Sequence, residues 1–467
     1  MSVPFRADEA ATWMGADLVR GDPGQRFEGV STDTRTLKAG QLFFAIRGPR
    51  FDAHDFLERA VDGGAAGLVV EHGRAPSAEA GAERVVLAVA DTTRALGRLA
   101  AGHRAGFDGP LVAITGSNGK TTTKEMCAAI LARGRPCLKN RGNLNNEFGL
   151  PLTLLEREPE HAAIVVEIGM NHRGEIAPLA RIARPSVGVI TNVGTAHIEF
   201  LGSQEEIALE KGDLVASLEA DATAVLNADD ARVSAQAART AARVVTFGCE
   251  AAADWRAEDV RRSEDGFAFA LAGPPGRCAV RVAGLGEPTL LNALAAAAAA
   301  HAAGAGLDEI AEGLARHRPV AGRMERIPLP GGAVVVNDSY NANPQSTEAA
   351  LRSLAELRGT ARGVVVLGDM GELGEAAEDA HAEAGRRVAE LRLDQLVALG
   401  SFAGTTVRGA VEAGLDASCA RVAPDHAAAA AAVGEALGPG DHVLVKGSRS
   451  MQMERIVAAL AGADGGR

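Results

Sequence analysis

Short apolar runs recur along the chain, and most stop abruptly at a glycine or a polar cluster. Residues 111–115 (Leu-Val-Ala-Ile-Thr), 162–166 (Ala-Ala-Ile-Val-Val), 187–190 (Val-Gly-Val-Ile) and 223–226 (Thr-Ala-Val-Leu) are such runs. Their length and apolar or β-branched content read as buried strands. After the first of them the apolar positions change to helical spacing, at Met126, Ile130 and Leu131. Strand then helix, repeated, predicts a mainly parallel sheet covered by helices. A second set at 333–336, 363–367, 395–399 and 442–445, with alanine-rich helices between, predicts another open, Rossmann-like α/β unit. Ahead of both, a strand at 41–46, a helical pattern near 55–63 and a strand at 67–70 predict a small α/β unit. Residues 255–283 are more β-like and predict a hairpin appendage.

At 467 residues the chain is too long for one core and predicts about three domains. We place them at 1–108, 109–318 and 319–467, with Gly106-Phe-Asp-Gly-Pro110 as a linker. No internal repeat is visible, and only the glycine-rich end, 462–467, reads as disordered.

Composition narrows the class. Hydrophobic residues make up 47%, ample for cores, and the net charge of −12 argues against non-specific nucleic-acid binding. Aromatic residues at 3% leave little for base-stacking platforms. The cysteines, 127, 137, 249, 278 and 419, are odd in number and widely spaced, which argues against a disulfide framework or zinc site and for a reducing compartment. The N-terminus lacks a basic segment followed by an apolar one. The long apolar stretch at 290–306 is mostly alanine and carries Asn292 and His301, so it predicts a packed helix rather than a membrane span. A soluble cytoplasmic protein is expected, without membrane insertion and without an obligate assembly, hence a monomer.

The chemistry gathers where strands end. After the strand at 111–115 comes Thr115-Gly-Ser-Asn-Gly-Lys-Thr-Thr122, then a helix pattern. A strand, glycine loop and helix in that order cradle phosphate with backbone N–H groups and the helix N-terminus. Gly116, Ser117, Asn118 and Gly119 form the loop. Lys120 supplies a cation for outer phosphates, and the Thr121 hydroxyl suits Mg²⁺. The usual phosphate-loop spacing asks for glycine at 114, where Ile114 stands, so only the short form is present. Use of a nucleoside triphosphate follows.

Glu167 closes a buried strand and needs a partner, either Mg²⁺ near the phosphates or an arginine in a structural ion pair. His197 lies beyond the next strand, in Thr191-Asn-Val-Gly-Thr-Ala-His197. Lys211, within Glu205-Glu-Ile-Ala-Leu-Glu-Lys211, reads from composition as a solvated lysine among glutamates. In the last unit, Asn337-Asp-Ser-Tyr-Asn-Ala-Asn-Pro344, Leu367-Gly-Asp-Met-Gly-Glu-Leu-Gly374 and Val445-Lys-Gly-Ser-Arg449 all follow strands. Three such loops at one sheet edge predict a site, with Lys446 and Arg449 available to an anionic substrate group.

These motifs, with Asn143-Leu-Asn-Asn-Glu-Phe-Gly-Leu-Pro and Val30-Ser-Thr-Asp-Thr-Arg35 followed by Gly40-Gln-Leu-Phe-Phe-Ala45, resemble the Mur ligase family over the whole chain. The resemblance implies an ATP-dependent carboxylate–amine ligase of peptidoglycan precursor synthesis. It joins D-alanyl-D-alanine to UDP-N-acetylmuramoyl-tripeptide through an acyl phosphate. It implies that Lys120 meets the phosphates, that Thr121, Glu167 and His197 bind Mg²⁺, and that Lys211 is carbamylated and serves a second Mg²⁺. The catalytic set is then Lys120, His197 and Lys211. Asn292, Arg323 and Asp338 are implied to hold the nucleotide, Ser31, Thr32, Asp33 and Arg35 the UDP-sugar, and Asn341, Asn343, Lys446 and Arg449 the substrates at the last domain. The chain departs from the family pattern at Pro288-Thr289, where His-Asn is common, and at Asp52-Ala-His54, where Asp-Gly-His is common.

Overall fold

The structure is a computed structural model describing residues 2–462, apart from Pro49, 78–83, Arg135, Glu264 and Ala436. The stretch 463–467, in the tail expected to be disordered, lies outside the described residues.

The first sheet orders its strands Asp17–Arg20, Val85–Val89, Gly67–Glu71, Leu42–Phe44 and Val30–Ser31, and only Asp17–Arg20 runs antiparallel. Val85–Val89, buried at every position, and the helix Thr92–Ala105 go beyond the elements read from sequence. A strand covered on both faces loses its alternation and reads only as an apolar patch.

The second sheet is parallel throughout, in the order Arg243–Phe247, Thr223–Asn227, Val187–Ile190, Leu111–Thr115, Ala163–Glu167, Cys137–Lys139. From Leu111–Thr115 the chain fills one side of the sheet and then the other. The crevice at such a switch point is where open α/β sheets bind ligands. The helix Glu287–Ala302 packs in one cluster with the helix Lys120–Leu131, so the 290–306 stretch is indeed a packed helix. Alanines allow the close approach, and each buried methyl contributes about 0.8 kcal/mol. Residues 255–283 form not a hairpin but a three-stranded antiparallel sheet, Arg256–Ser263, Gly266–Gly273 and Gly276–Ala283. Its apolar face (Phe267, Phe269, Leu271) joins the same core.

The third large sheet runs Glu325–Pro328, Val334–Asp338, His442–Lys446, Gly363–Leu367, Gln395–Ala398, Ala420–Val422, with only the first strand antiparallel. Register settles where its polar loops emerge. Asp338 stands opposite Lys446, and Lys446 opposite Leu367. Three neighbouring strands therefore end level, and the loops that follow them leave the sheet side by side.

The chain passes from the second unit to the third through residues 315–321. His317 is buried there, and desolvation lowers its pKa to about 4. The unfolded chain, with an ordinary imidazole, binds the proton first. Stability present above about pH 6.5 is therefore lost as pH falls toward 4. Thermal midpoints measured across this window should fall less steeply in His317→Gln than in the native chain.

Candidate active site

One cavity of about 810 Å³ lies between the carboxyl ends of the central and C-terminal sheets. Its floor is the glycine loop. Gly116 has φ +147°, and a Cβ there would sit 1.9 Å from Thr191 Oγ1. Gly119 has φ +82°, and its Cβ would meet Asn292 Oδ1 at 2.2 Å. Only glycine fits either position. Gly119 caps the helix Lys120–Leu131 without a side-chain acceptor, which leaves the helix N–H groups to an anion.

The loop is braced by the neighbouring strand's Thr-Asn-Val-Gly segment. Asn192 Oδ1 accepts from Asn118 N–H (2.9 Å), Thr191 Oγ1 donates to the Asn118 carbonyl (2.6 Å), and Gly194 N–H donates to Ser117 Oγ (2.8 Å). Lys120 Nζ donates to the Gly116 carbonyl at 2.8 Å. The residue borders the cavity, yet its ammonium sits deep enough for desolvation to lower its pKa, against the opposing pull of Glu167.

Among the described residues no arginine pairs with Glu167, which leaves no support there for the structural ion pair considered from sequence. Thr121 Oγ1 donates to Glu167 Oε2 (2.7 Å) and Asn145 Nδ2 to Oε1 (2.8 Å). The Asn140 side chain holds the backbone of the same residue, accepting from Glu167 N–H (2.9 Å) and donating to its carbonyl (3.2 Å). A buried carboxylate held by neutral donors beside a hydroxyl suits a hard cation. No group of three or more His, Cys, Asp or Glu side chains able to hold a metal occurs among the described residues. This sparse oxygen set fits Mg²⁺, which keeps waters and phosphate oxygens as its other ligands.

His197 borders the same cavity with φ +66°, a left-handed conformation unusual for a non-glycine residue. Glu372 Oε2, from the C-terminal unit, approaches its Nδ1 to 2.5 Å. The approach lies outside hydrogen-bond geometry, and the buried Nδ1 keeps no hydrogen bond. The His197 ring holds the Glu372 carboxyl below its ordinary pKa.

Lys211, in the helix Gln204–Ala216, corrects the reading from composition: it is 2% exposed. Little water can reach it. The adjacent Glu210 is spent on the N–H groups of Gly174, Glu175 and Ile176. Desolvation, reinforced by the Lys120 charge, pushes the Lys211 pKa well down.

Arg323 lies over the Tyr340 ring, 4.2 Å from its centroid. Asn292 Oδ1 accepts from Thr123 Oγ1 (3.2 Å) against the glycine loop. Lys446 is 2% exposed, lies 2.5 Å from Asp338 Oδ2 and donates to the Asn341 carbonyl. The expected free anion-binding lysine is thus neutralised in place, because lysine and aspartate end adjacent strands in register. Arg449 pairs with Glu454 at 2.7 Å on the exposed side. Asn343 caps the helix Pro344–Arg358 and exchanges hydrogen bonds with Asn118 across the two units (2.8 and 3.4 Å). Gln345 Oε1 accepts from Thr195 N–H and Oγ1 (3.1 and 2.9 Å).

The structure thus brings Ser117 to Thr122, Glu167, His197, Asn292, Arg323, Asp338, Asn341, Asn343, Lys446 and Arg449 around one cavity. Thr115 and Gly116 lie beneath it and Lys211 behind it. Ser31, Thr32, Asp33 and Arg35 do not border it. They sit on the first sheet, where Arg35 grips the Asp33 carboxylate and holds its pKa down to about 2. Asn140, Asn145, Asn192, Tyr340 and Glu372 were not singled out from sequence, although all but Asn140 lie inside the motifs.

The Mur ligase family catalytic domain matches residues 26–104, the Mur ligase middle domain 114–300, and the Mur ligase glutamate ligase domain 322–449. The UDP-N-acetylmuramoyl-tripeptide–D-alanyl-D-alanine ligase of Escherichia coli (strain K12) is 38% identical over 450 residues, covering 96% of this chain and 95% of that protein. The chain belongs to the Mur ligase family. Among solved Mur ligases, MurF from Acinetobacter baumannii superimposes with a TM-score of 0.90 at 34% identity, over 99% of both chains. MurF from Thermotoga maritima in complex with ADP gives 0.83 at 28%, over 93% of this chain and 97% of that one. At the two departures from the Mur ligase pattern, Pro288 sits in the first turn of Glu287–Ala302 and Thr289 Oγ1 bonds the Leu285 carbonyl (2.9 Å), while Asp52 Oδ1 lies 2.6 Å from His54 Nδ1.

Proposed function

We propose that this Mur ligase joins D-alanyl-D-alanine to UDP-N-acetylmuramoyl-tripeptide at the expense of ATP, giving the UDP-linked pentapeptide precursor of peptidoglycan in the cytoplasm. One observation carries the reading: a phosphate-binding loop and three polar loops of a second sheet face the same cavity. In this reading residues 1–108 hold the UDP-sugar through Ser31, Thr32, Asp33 and Arg35, residues 109–318 hold ATP, and 319–467 bring the acceptor and close over the nucleotide.

The tripeptide carboxylate attacks the γ-phosphorus, ADP leaves, and an acyl phosphate forms. The acceptor amine then attacks the acyl carbon, phosphate leaves, and the nitrogen gives up a proton. Both steps crowd negative charge, so fixed cations do most of the work. Lys120 leaves the Gly116 carbonyl for the phosphates. Arg323, Asn292 and Asp338 orient the nucleotide, with Tyr340 fixing the plane of Arg323. Thr121, Glu167 and His197 are the residues that hold Mg²⁺, which when bound neutralises phosphate oxygens. Lys211 is suited to carbamylation: its neutral nitrogen attacks CO₂, an N–C bond forms and a proton leaves. The resulting anion would lie near the Lys120 charge and could hold a second Mg²⁺, which would neutralise further phosphate oxygens. Asn341, Asn343, Lys446 and Arg449 shape the acceptor side.

The test is phosphate release with Mg-ATP and the UDP-tripeptide, with and without the dipeptide. Release that depends on the dipeptide, with a product heavier by the dipeptide residue, is expected. Release without it would point to a nucleotide-driven switch instead. Because the nucleotide site is shared by two units joined at 315–321, scattering profiles with and without ATP analogue and UDP-tripeptide should differ. Superimposable profiles would sink the idea of domain rotation.

A further inference from the structure

Among the described residues five acidic side chains border the cavity, and four are already committed. Glu167 accepts from Thr121 and Asn145, and Glu175 from the Asn171 N–H. Asp230 accepts from Val193, Arg232 and Val233 N–H groups. Asp338 is paired with Lys446 and accepts from Met324 N–H. Glu372 alone has a carboxylate whose nearest polar contact, His197 Nδ1, is not a hydrogen bond.

Its placement is built rather than incidental. Glu372 holds φ +60°, a conformation an L residue keeps only when its surroundings impose it. Gly371 and Gly374 flank it, and the Glu372 carbonyl accepts from Glu199 N–H across the units (3.3 Å). A Cβ on Gly371 would lie 3.7 Å from Ser448 Cβ, so the two loops touch, with Glu372 leaving one and Arg449 the other. The C-terminal unit therefore offers the cavity a carboxylate and a guanidinium from adjoining loops. Arg449's own pair with Glu454 is exposed and weak. A charge of each sign from adjoining loops matches a small zwitterion. The Glu372 carboxylate also stands next to His197, which borders the same cavity as the glycine loop.

We infer that Glu372 is a specificity-determining residue that receives the acceptor's ammonium group, with Arg449 toward its carboxylate. The inference rests on the function proposed above. A metal ion is the competing occupant, but Glu372 stands on a different unit from Thr121 and Glu167.

The experiment compares Glu372→Gln and Glu372→Asp with the native enzyme, using D-Ala-D-Ala as substrate. The same dipeptide with hydroxyl in place of the amine serves as inhibitor, and Mn²⁺ affinity is read by electron paramagnetic resonance. Glu372→Gln should raise KM for the dipeptide about 30-fold, change the KM values for ATP and UDP-tripeptide by no more than about fivefold as the His197 contact is lost, and leave the hydroxyl analogue's inhibition constant unchanged. Glu372→Asp, which keeps the charge, should recover part of the loss. An unchanged KM for the dipeptide would overturn the inference, as would equal weakening of dipeptide and analogue or a fall in Mn²⁺ affinity. A native enzyme that never uses the dipeptide would instead defeat the functional reading beneath it.

Discussion

Lys120→Ala is expected to lower kcat/KM for ATP by about a thousandfold, near the upper range for losing one preorganised charge contact at a reacting group. The residue is at the first turn of a helix whose N-terminal N–H groups have no side-chain cap, and its ammonium rests on the Gly116 carbonyl only until something more negative arrives. Desolvation already lowers its pKa, so a phosphate that supplies countercharge gains more there than it would at an exposed lysine. The fold has little stake in the side chain: two hydrogen bonds to loop carbonyls, at 2.8 Å and a long 3.5 Å, are worth about 1 kcal/mol each at most. Steady-state kinetics and a thermal scan on the same preparation would separate the two effects. Activity within tenfold of native would mean that the glycine loop does not cradle the transferred phosphate.

The second large effect is expected at Lys211. Its replacement by alanine should cost at least about a hundredfold in kcat, and unlike Lys120 the loss should be open to chemical rescue. The side chain is enclosed and its neighbour Glu210 is engaged by backbone N–H groups, so desolvation shifts the balance away from the ammonium form. A neutral amine there can add CO₂. The anion so made offsets the Lys120 charge next to it. Native enzyme stripped of CO₂ should lose activity and regain it with bicarbonate, and intact mass should show one added CO₂ at this lysine. Lys211→Ala should ignore bicarbonate yet recover part of its rate with formate or acetate, small enough to occupy the emptied space. Full activity in CO₂-free buffer would remove the carbamate from the account.

Much of this was legible because strand ends carry the chemistry. Apolar runs locate the strands, so whatever follows them sits at the sheet edge, and the short glycine loop, Glu167, His197 and the three C-terminal loops were all found that way. What pattern could not give was register. That Asp338 and Lys446 end side by side and neutralise each other follows from strand pairing, not from either local sequence. Burial of a charged residue was equally hidden. Glu205-Glu-Ile-Ala-Leu-Glu-Lys211 looks like a solvated helix face, but Glu210 turns inward to cap a neighbouring helix and takes Lys211 with it. The Val85–Val89 strand lacks alternation because both its faces are covered.

The seam between the central and C-terminal units has a consequence for ligand entry. Asn118 with Asn343, Thr195 with Gln345, Glu199 with Glu372 and His197 with Glu372 already meet across it. At about 1 kcal/mol for each of the three hydrogen-bonded pairs, together they keep the parted form down to on the order of one molecule in a hundred. If ATP enters only through the parted form, its observed affinity is weaker than its intrinsic grip by that fraction. The same contacts lie between the two faces that would enclose ADP after the reaction, so loosening them through Gln345→Ala should speed ADP release in a stopped-flow measurement.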